Sequence, residues 1–182
     1  MALKATVYKA SINVADMSRG VYLDHAVTLA QHPSETNKRM MLRLLAWTLY
    51  ADERLQFTKG LSDESEPELW IKNYSDEIEL WVELGLPDEK RLKKACSLAK
   101  DVVLFTYDDH AARVWKTQLL NKLHPFKNLT VINIMDEVLD AAGASLSRSM
   151  SIQATIEDDQ VWFSIGDTVV SIQPEIWKTA TN

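Results

Sequence analysis

The sequence predicts an α/β fold, a mixed β-sheet flanked by helices with antiparallel strands added at both ends. The middle of the chain reads strand, helix, strand, helix, strand, which implies a partly parallel sheet with right-handed crossovers. The two ends are instead rich in Val, Ile, Thr and Tyr, with turn residues between short runs, and read as antiparallel hairpins. Size is the third constraint: 182 residues suit one compact domain, residues 1–182, able to bury its core without disulfides.

Residues 3–14 alternate loosely and read as a strand; after the turn ADMSRG, a second β-like run covers residues 21–30. HPSE follows, with Ser34 as the expected helix N-cap and Glu35 in the first turn. That helix should reach about Arg54, its wide apolar face (Met41, Leu42, Leu44, Leu45, Ala46, Leu49) packing on a sheet. Residues 56–61 read as a short strand and SDESEPE, residues 62–68, as an acidic loop.

From Ile78 to Leu84 the residues alternate, with Ile78, Leu80, Val82 and Leu84 on one face and Glu79, Trp81 and Glu83 on the other. Such alternation predicts a half-buried strand, with Glu83 at the end where α/β proteins place ligand sites. Glu79, deeper in the strand, is expected to pair with an arginine of the long helix. A helix from Asp88, its cap, to Lys100 comes next, then an apolar strand over residues 101–107, suited to a sheet centre. A helix over residues 109–122, a strand over 129–135 and a short helix over 136–142 complete the middle. Residues 149–172 read as strands with tight turns at Asp158–Asp159 and Gly166–Asp167.

Composition narrows the chemistry. Cys96 is the one cysteine, so no internal disulfide forms, and its place on the stripe Leu92, Ala95, Cys96, Ala99 marks it as inert core. MALKATVYKASINV lacks the apolar run of a signal peptide, and no window holds an uninterrupted membrane-spanning run, so a cytoplasmic location is expected. A net charge of −6 argues against nonspecific coating of nucleic acid without excluding a nuclease that binds through metal ions. The five glycines form neither a dinucleotide fingerprint nor a P-loop, the four histidines show no zinc spacing, and no G-x-S-x-G occurs.

What remains is a set of acids near strand ends and helix starts: Glu35, Glu66 and Glu68 flanking Pro67, and Glu83. Gathered carboxylates need a cation to offset their repulsion, and hard oxygen ligands suit Mg²⁺ or Mn²⁺. Arg39 and Arg43 follow Glu35 at steps of four along one helical face. Arg91 and Lys94, three apart, share a side of the next helix, and with Arg39 and Arg43 are candidates for phosphate contact. Trp70 and Trp81 bracket the acids and are placed to limit water access.

HPSE, ADERL, EPELW, WVELG and PDEKRLKKA occur in this order, and with them essentially the whole chain resembles the bacterial YaeQ family. The resemblance implies a core of the PD-(D/E)XK nuclease-like superfamily. It also implies Glu35 as the helix acid, Pro67–Glu68 as the proline-acid pair and Glu83 as the second acid. The lysine such a site carries two residues after that acid is replaced by Gly85, and Lys94 or Lys93 of the following helix would supply the charge instead. Function is then expected to be divalent-metal-dependent phosphodiester hydrolysis on nucleic acid. Glu68 and Glu83 would hold Mg²⁺ or Mn²⁺, Glu35 and Lys94 would complete the catalytic set, with Arg91 in place of Lys94 failing that, and Arg39, Arg43 and Arg91 would meet substrate. The alternative is a noncatalytic nuclease-like fold that acts as an interaction module for a protein of the transcription machinery, the family having been linked to transcription elongation.

Overall fold

The computed structural model describes residues 4–181, with Ser62 described by its backbone alone. Leu3, expected to open the first strand, lies outside the described residues. The chain forms two compact units, one drawn from Met1–Glu53 and Glu137–Gln173, the other from Arg54–Asp136 and Pro174–Asn182.

The first unit is built on β1 (Thr6–Asp16) and β2 (Val21–Gln31), an antiparallel hairpin in continuous register from Thr6↔Gln31 to Asp16↔Val21. Helix α1 (Asn37–Leu49) follows. The second unit begins with β3 (Gln56–Phe57), β4 (Leu69–Lys72) and β5 (Ile78–Leu84). It continues with α2 (Glu89–Leu98), β6 (Ala99–Thr106), α3 (Asp109–Leu119) and β7 (Leu129–Asn133). Helix α4 (Asp136–Gly143) leads back to the first unit and its strands β8 (Ser149–Glu157), β9 (Gln160–Ile165) and β10 (Thr168–Ile172). Strand β11 (Glu175–Lys178) returns to the second unit.

Both sheets are mixed. The first has order β10-β9-β8-β1-β2, antiparallel except where β1 runs parallel to β8. The second has order β11-β7-β6-β5-β4-β3, with β5, β6 and β7 parallel and the outer pairs antiparallel. The β-rich ends of the chain therefore do not extend the middle sheet, as the sequence had suggested. They pair with each other, Lys9↔Ser149 through Asp16↔Ile156, and form a sheet of their own.

Alternation sets each buried face. In β1, Ala10, Ile12 and Val14 are buried while Lys9, Ser11 and Asn13 face solvent, and β8 repeats the pattern with Met150, Ile152 and Ala154. In α1 every residue from Met40 to Thr48 is buried, and Trp47 stacks on His25 of β2 with ring centroids 5.2 Å apart. The helix starts later than expected. Thr36 is the cap, accepting from the Arg39 N–H at 3.1 Å, because the Ser34 N–H is taken by His32 Nδ1 and the Glu35 N–H by the His32 carbonyl. It also ends at Leu49 instead of Arg54.

In the second unit the core beneath one face of the sheet joins Trp81, Val102, Leu104, Leu129 and Val131 to Leu92 and Ala95 of α2 and Trp115 of α3. Asp88 caps α2 as the sequence predicts, accepting from the Arg91 N–H at 2.8 Å. Strand β5 differs from its reading in one respect: Leu80 through Leu84 are all buried, so both faces are covered. Glu79 does pair with an arginine, Arg54 at 2.7 Å, but Arg54 lies beyond the helix end. Cys96 is half-buried, and burial pushes its thiol up to about 11, consistent with an inert side chain.

Leu104 is fully buried in the middle of the parallel strands. Leu104→Ala is expected to cost about 2–5 kcal/mol of stability, read as a lowered urea midpoint.

Candidate functional site

The sequence-predicted site residues fall into two sets, one in each unit. Glu35, Arg39 and Arg43 belong to the first. The Glu35 carboxylate accepts from Arg39 Nη1 at 2.9 Å and from Arg43 Nη1 at 3.0 Å, and Arg43 also donates to the Ala30 carbonyl at 3.0 Å. The steps of four that place three charges on one line thus produce an ion-pair ladder that ties the start of α1 to the end of β2. All three side chains are largely withdrawn from solvent, at 1%, 11% and 5% exposure for Glu35, Arg39 and Arg43.

Glu68, Glu83, Arg91 and Lys94 belong to the second unit. Glu83 is the penultimate residue of β5, a central strand of its sheet, and both it and Glu68 are buried. Glu68 directly precedes β4. Its N–H donates to the Val82 carbonyl at 2.9 Å, and its own carbonyl accepts from the Thr58 N–H at 3.1 Å, which fixes the acid beside the end of β5. Thr58 Oγ1 further donates to the Pro67 carbonyl, so the proline-acid pair is held from the β3 side.

Glu83 has two named partners. The Trp81 indole, two residues back on the same strand face, donates to Oε2 at 3.0 Å. Arg91, in the first turn of α2, brings Nε within 3.0 Å of Oε1. Burial nonetheless raises the Glu83 pKa above the ordinary range; the bonds from Arg91 and Trp81 oppose the rise, and the neighbouring Glu68 charge adds to it.

Arg91 thus delivers the helix charge that the sequence reading assigned to Lys94 or Lys93. Lys94 is exposed and acts on the acidic loop, where it helps lower the Asp63 pKa behind the larger contributions of the Ser65 hydroxyl and N–H. Backbone geometry explains Gly85. Its φ is +102°, a conformation in which a lysine would be strained, and its N–H donates to the Phe105 carbonyl at 2.9 Å as the chain leaves the sheet.

Trp81, expected to limit water access, is a hydrogen-bond donor to the acid, and Trp70 lies under the Lys72 ammonium at 4.0 Å. Sequence reasoning missed two further polar groups at the same ends of the parallel strands. Thr106 and Asn133 are buried, and Thr106 Oγ1 donates to Asn133 Oδ1 at 2.8 Å. The signal was present: each is a polar residue set in an apolar run, as Glu83 is.

Glu68 and Glu83 are the two residues that could hold a hard divalent cation with few protein ligands. Among the described residues no group of three or more His, Cys, Asp or Glu side chains forms a ready-made cage, and each Glu83 oxygen already has a partner in Arg91 or Trp81. Mg²⁺ fits that count, because it keeps several waters and is commonly held by one or two carboxylates plus substrate phosphate.

Comparison with known proteins adds the family. Residues 1–174 match the family described as YaeQ protein. A Salmonella typhi protein described as "Uncharacterized protein YaeQ" is 54% identical over 178 residues, 98% of each chain, and one so described from Escherichia coli strain K12 is 52% identical over the same share. The crystal structure of YaeQ protein from Xanthomonas axonopodis pv. citri superposes with a TM-score of 0.94 at 39% identity, covering 96% of this chain and 99% of that one. That of YaeQ protein from Pseudomonas syringae gives 0.92 at 31% identity, covering 96% and 97%. The chain belongs to the YaeQ family.

Two expectations follow from these contacts. Removing the acid of the ladder strands buried arginine charge, so Glu35→Ala should cost about 3 kcal/mol in chemical denaturation; a purely catalytic Glu35 would leave stability unchanged. For Glu83, a folded-state pKa raised above the unfolded one means a stability contribution that is full below the unfolded value, near 4.5, and lost as pH rises through the folded value. Glu83→Gln should therefore gain on the wild type in urea midpoint as pH is raised from 4.5 toward neutrality. The opposite trend would mean that the Arg91 pairing outweighs burial.

Proposed function

We propose, starting from that family membership, that this chain is a divalent-cation-dependent phosphodiesterase of the PD-(D/E)XK nuclease-like kind, acting on nucleic acid. The observation that carries the reading is Glu83: a buried carboxylate at the C-terminal end of a central parallel strand, with Glu68 fixed beside it. Sheets of this kind place ligands outside the carboxyl ends of their strands. A hydrophobic core has no use for two neighbouring carboxylates, whereas a cation-binding centre requires them.

In this reading Glu68 and Glu83 hold Mg²⁺ or Mn²⁺, which when bound polarises a phosphoryl oxygen and activates water. Trp81 fixes one Glu83 oxygen by its indole N–H and so orients the carboxylate. Arg91 presents a guanidinium to the nonbridging oxygens of the phosphate, where fixed positive charge meets negative charge that grows in the transition state. Lys94, on the loop side of the same helix, adds positive potential without touching Glu83. Glu35 is left out of this centre, because its carboxylate is engaged by Arg39 and Arg43.

A second reading is favoured by the same Arg91 contact. With Glu83 already paired, the acids can serve as a satisfied network in a noncatalytic fold that binds a protein of the transcription machinery. Titration with Mn²⁺ separates the two. Saturable binding by the wild type, lost in Glu83→Gln together with hydrolysis of DNA or RNA while the far-ultraviolet circular dichroism is kept, is the expected result. Hydrolysis that survives Glu83→Gln intact would overturn the enzymatic assignment. No Mn²⁺ binding at millimolar concentration, with saturable binding to a transcribing polymerase complex, would establish the second reading.

A further inference from the structure

Arg91 engages more than Glu83. While Nε pairs with Glu83, Nη1 donates to the Glu64 carbonyl at 2.6 Å and Nη2 to the Glu66 carbonyl at 3.1 Å. One guanidinium therefore fastens three things together: the first turn of α2, the end of β5 and the acidic loop that leads into Glu68. Its side chain is 30% exposed, against 6% for Glu83, so the head group has a way out to solvent that the carboxylate lacks.

We propose that Arg91 is an exchangeable latch on the cation site, which couples the binding of a divalent cation to that of a phosphodiester. The inference rests on the cation-binding reading of Glu83 given above. In the closed state the guanidinium occupies the carboxylate oxygen a cation would take. A cation arriving alone must displace it, leaving a guanidinium without its carboxylate and two loop carbonyls without their donor. A phosphodiester arriving alone must compete with Glu83 for the same guanidinium. Together they exchange partners: the carboxylate turns to the cation, the guanidinium to the phosphate oxygens, and each positive charge keeps a negative neighbour. Each ligand thereby raises the affinity for the other, and thermodynamic linkage requires the two enhancements to be equal.

The same exchange frees the loop. The Glu64 and Glu66 carbonyls lose their donor when Arg91 leaves, while the contacts of Ser65 to Asp63 stay within the loop and do not tie it to α2. Residues 63–67 should then loosen most when both ligands are present, because the exchange of partners is what favours the departure of Arg91.

Calorimetric titration of Mn²⁺ into the full chain, with and without a phosphorothioate dinucleotide, tests this, alongside amide hydrogen exchange of residues 63–67. Mn²⁺ affinity of the wild type should rise roughly tenfold with the dinucleotide, within the usual span of coupling between sites, and the loop amides should exchange faster in the doubly loaded protein. Arg91→Ala should bind Mn²⁺ alone more tightly than the wild type and show no rise with the dinucleotide. Arg91→Gln, which keeps an amide donor for the loop carbonyls and loses the charge, carries the same test if the alanine variant fails to fold. Equal Mn²⁺ affinities in wild type and variants, unmoved by the dinucleotide, would make Arg91 a fixed strut and overturn the latch while leaving the cation site standing. No Mn²⁺ binding by any of the proteins would overturn the cation site, and the latch with it.

Discussion

The second unit is organised around the cost of burying one carboxylate. Strand β5 has both faces covered over its last five residues, so a glutamate placed there leaves water behind. Dehydrating an ionised carboxylate costs several kcal/mol unless charge and hydrogen bonds replace the lost solvent. Two features meet part of that demand. Trp81 supplies an N–H from the same strand, and Arg91 supplies a positive charge from the helix that follows. The helix can deliver it because Asp88 caps the first turn and starts α2 where Arg91 reaches back to the strand. Gly85 makes the tight exit from β5 possible by adopting a backbone conformation other residues avoid. The acidic loop is then tied down through the remaining nitrogens of the same guanidinium.

Local signals in the sequence revealed most of this scaffold. The β5, α2, β6, α3, β7 succession, the Asp88 cap and the turns at Asp158–Asp159 and Gly166–Asp167 all rest on patterns a few residues long. What escaped detection depended on partners distant in the chain. The parallel pairing of β1 with β8 joins segments about 140 residues apart, and nothing in either strand names the other. Strands β4 and β11 span four residues each, too few for periodicity to register, and they are strands because β5 and β7 offer them an edge. The α1 cap failed for a subtler reason. Ser34 and Thr36 are both competent caps, and the choice fell to Thr36 because His32 engages the backbone ahead of it.

The candidate site was legible to the same degree. Glu83 stood out because a carboxylate closing an apolar alternation has no structural excuse, and it is the residue with the most telling environment. Glu35 with Arg39 and Arg43 was legible as a line of charge but not as to purpose. A spacing of four serves an ion-pair ladder as well as a phosphate-binding strip, and only the distances distinguish them. Lys94 and Arg91 share a helix side, so sequence could not say which of them reaches the strand. One residue per turn makes that decision, and it fell to the one nearer the cap.

That the reaching residue is an arginine matters chemically. A lysine ammonium at the same place could neutralise Glu83, but as a compact point charge it would have no fixed geometry for two carbonyls on the far side. The guanidinium is a rigid fork, and here Nε serves the acid while both terminal nitrogens serve the loop. A positive charge carried on the helix also needs no long side chain at Gly85, where the backbone favours glycine. The acid's partner is also bonded to two carbonyls of the acidic loop, and so ties a buried carboxylate to a surface loop. A lysine extending from the strand itself would lack that second attachment. The turn at Gly85 and the reach of Arg91 belong to the same exit from β5, through a backbone conformation that only glycine adopts comfortably.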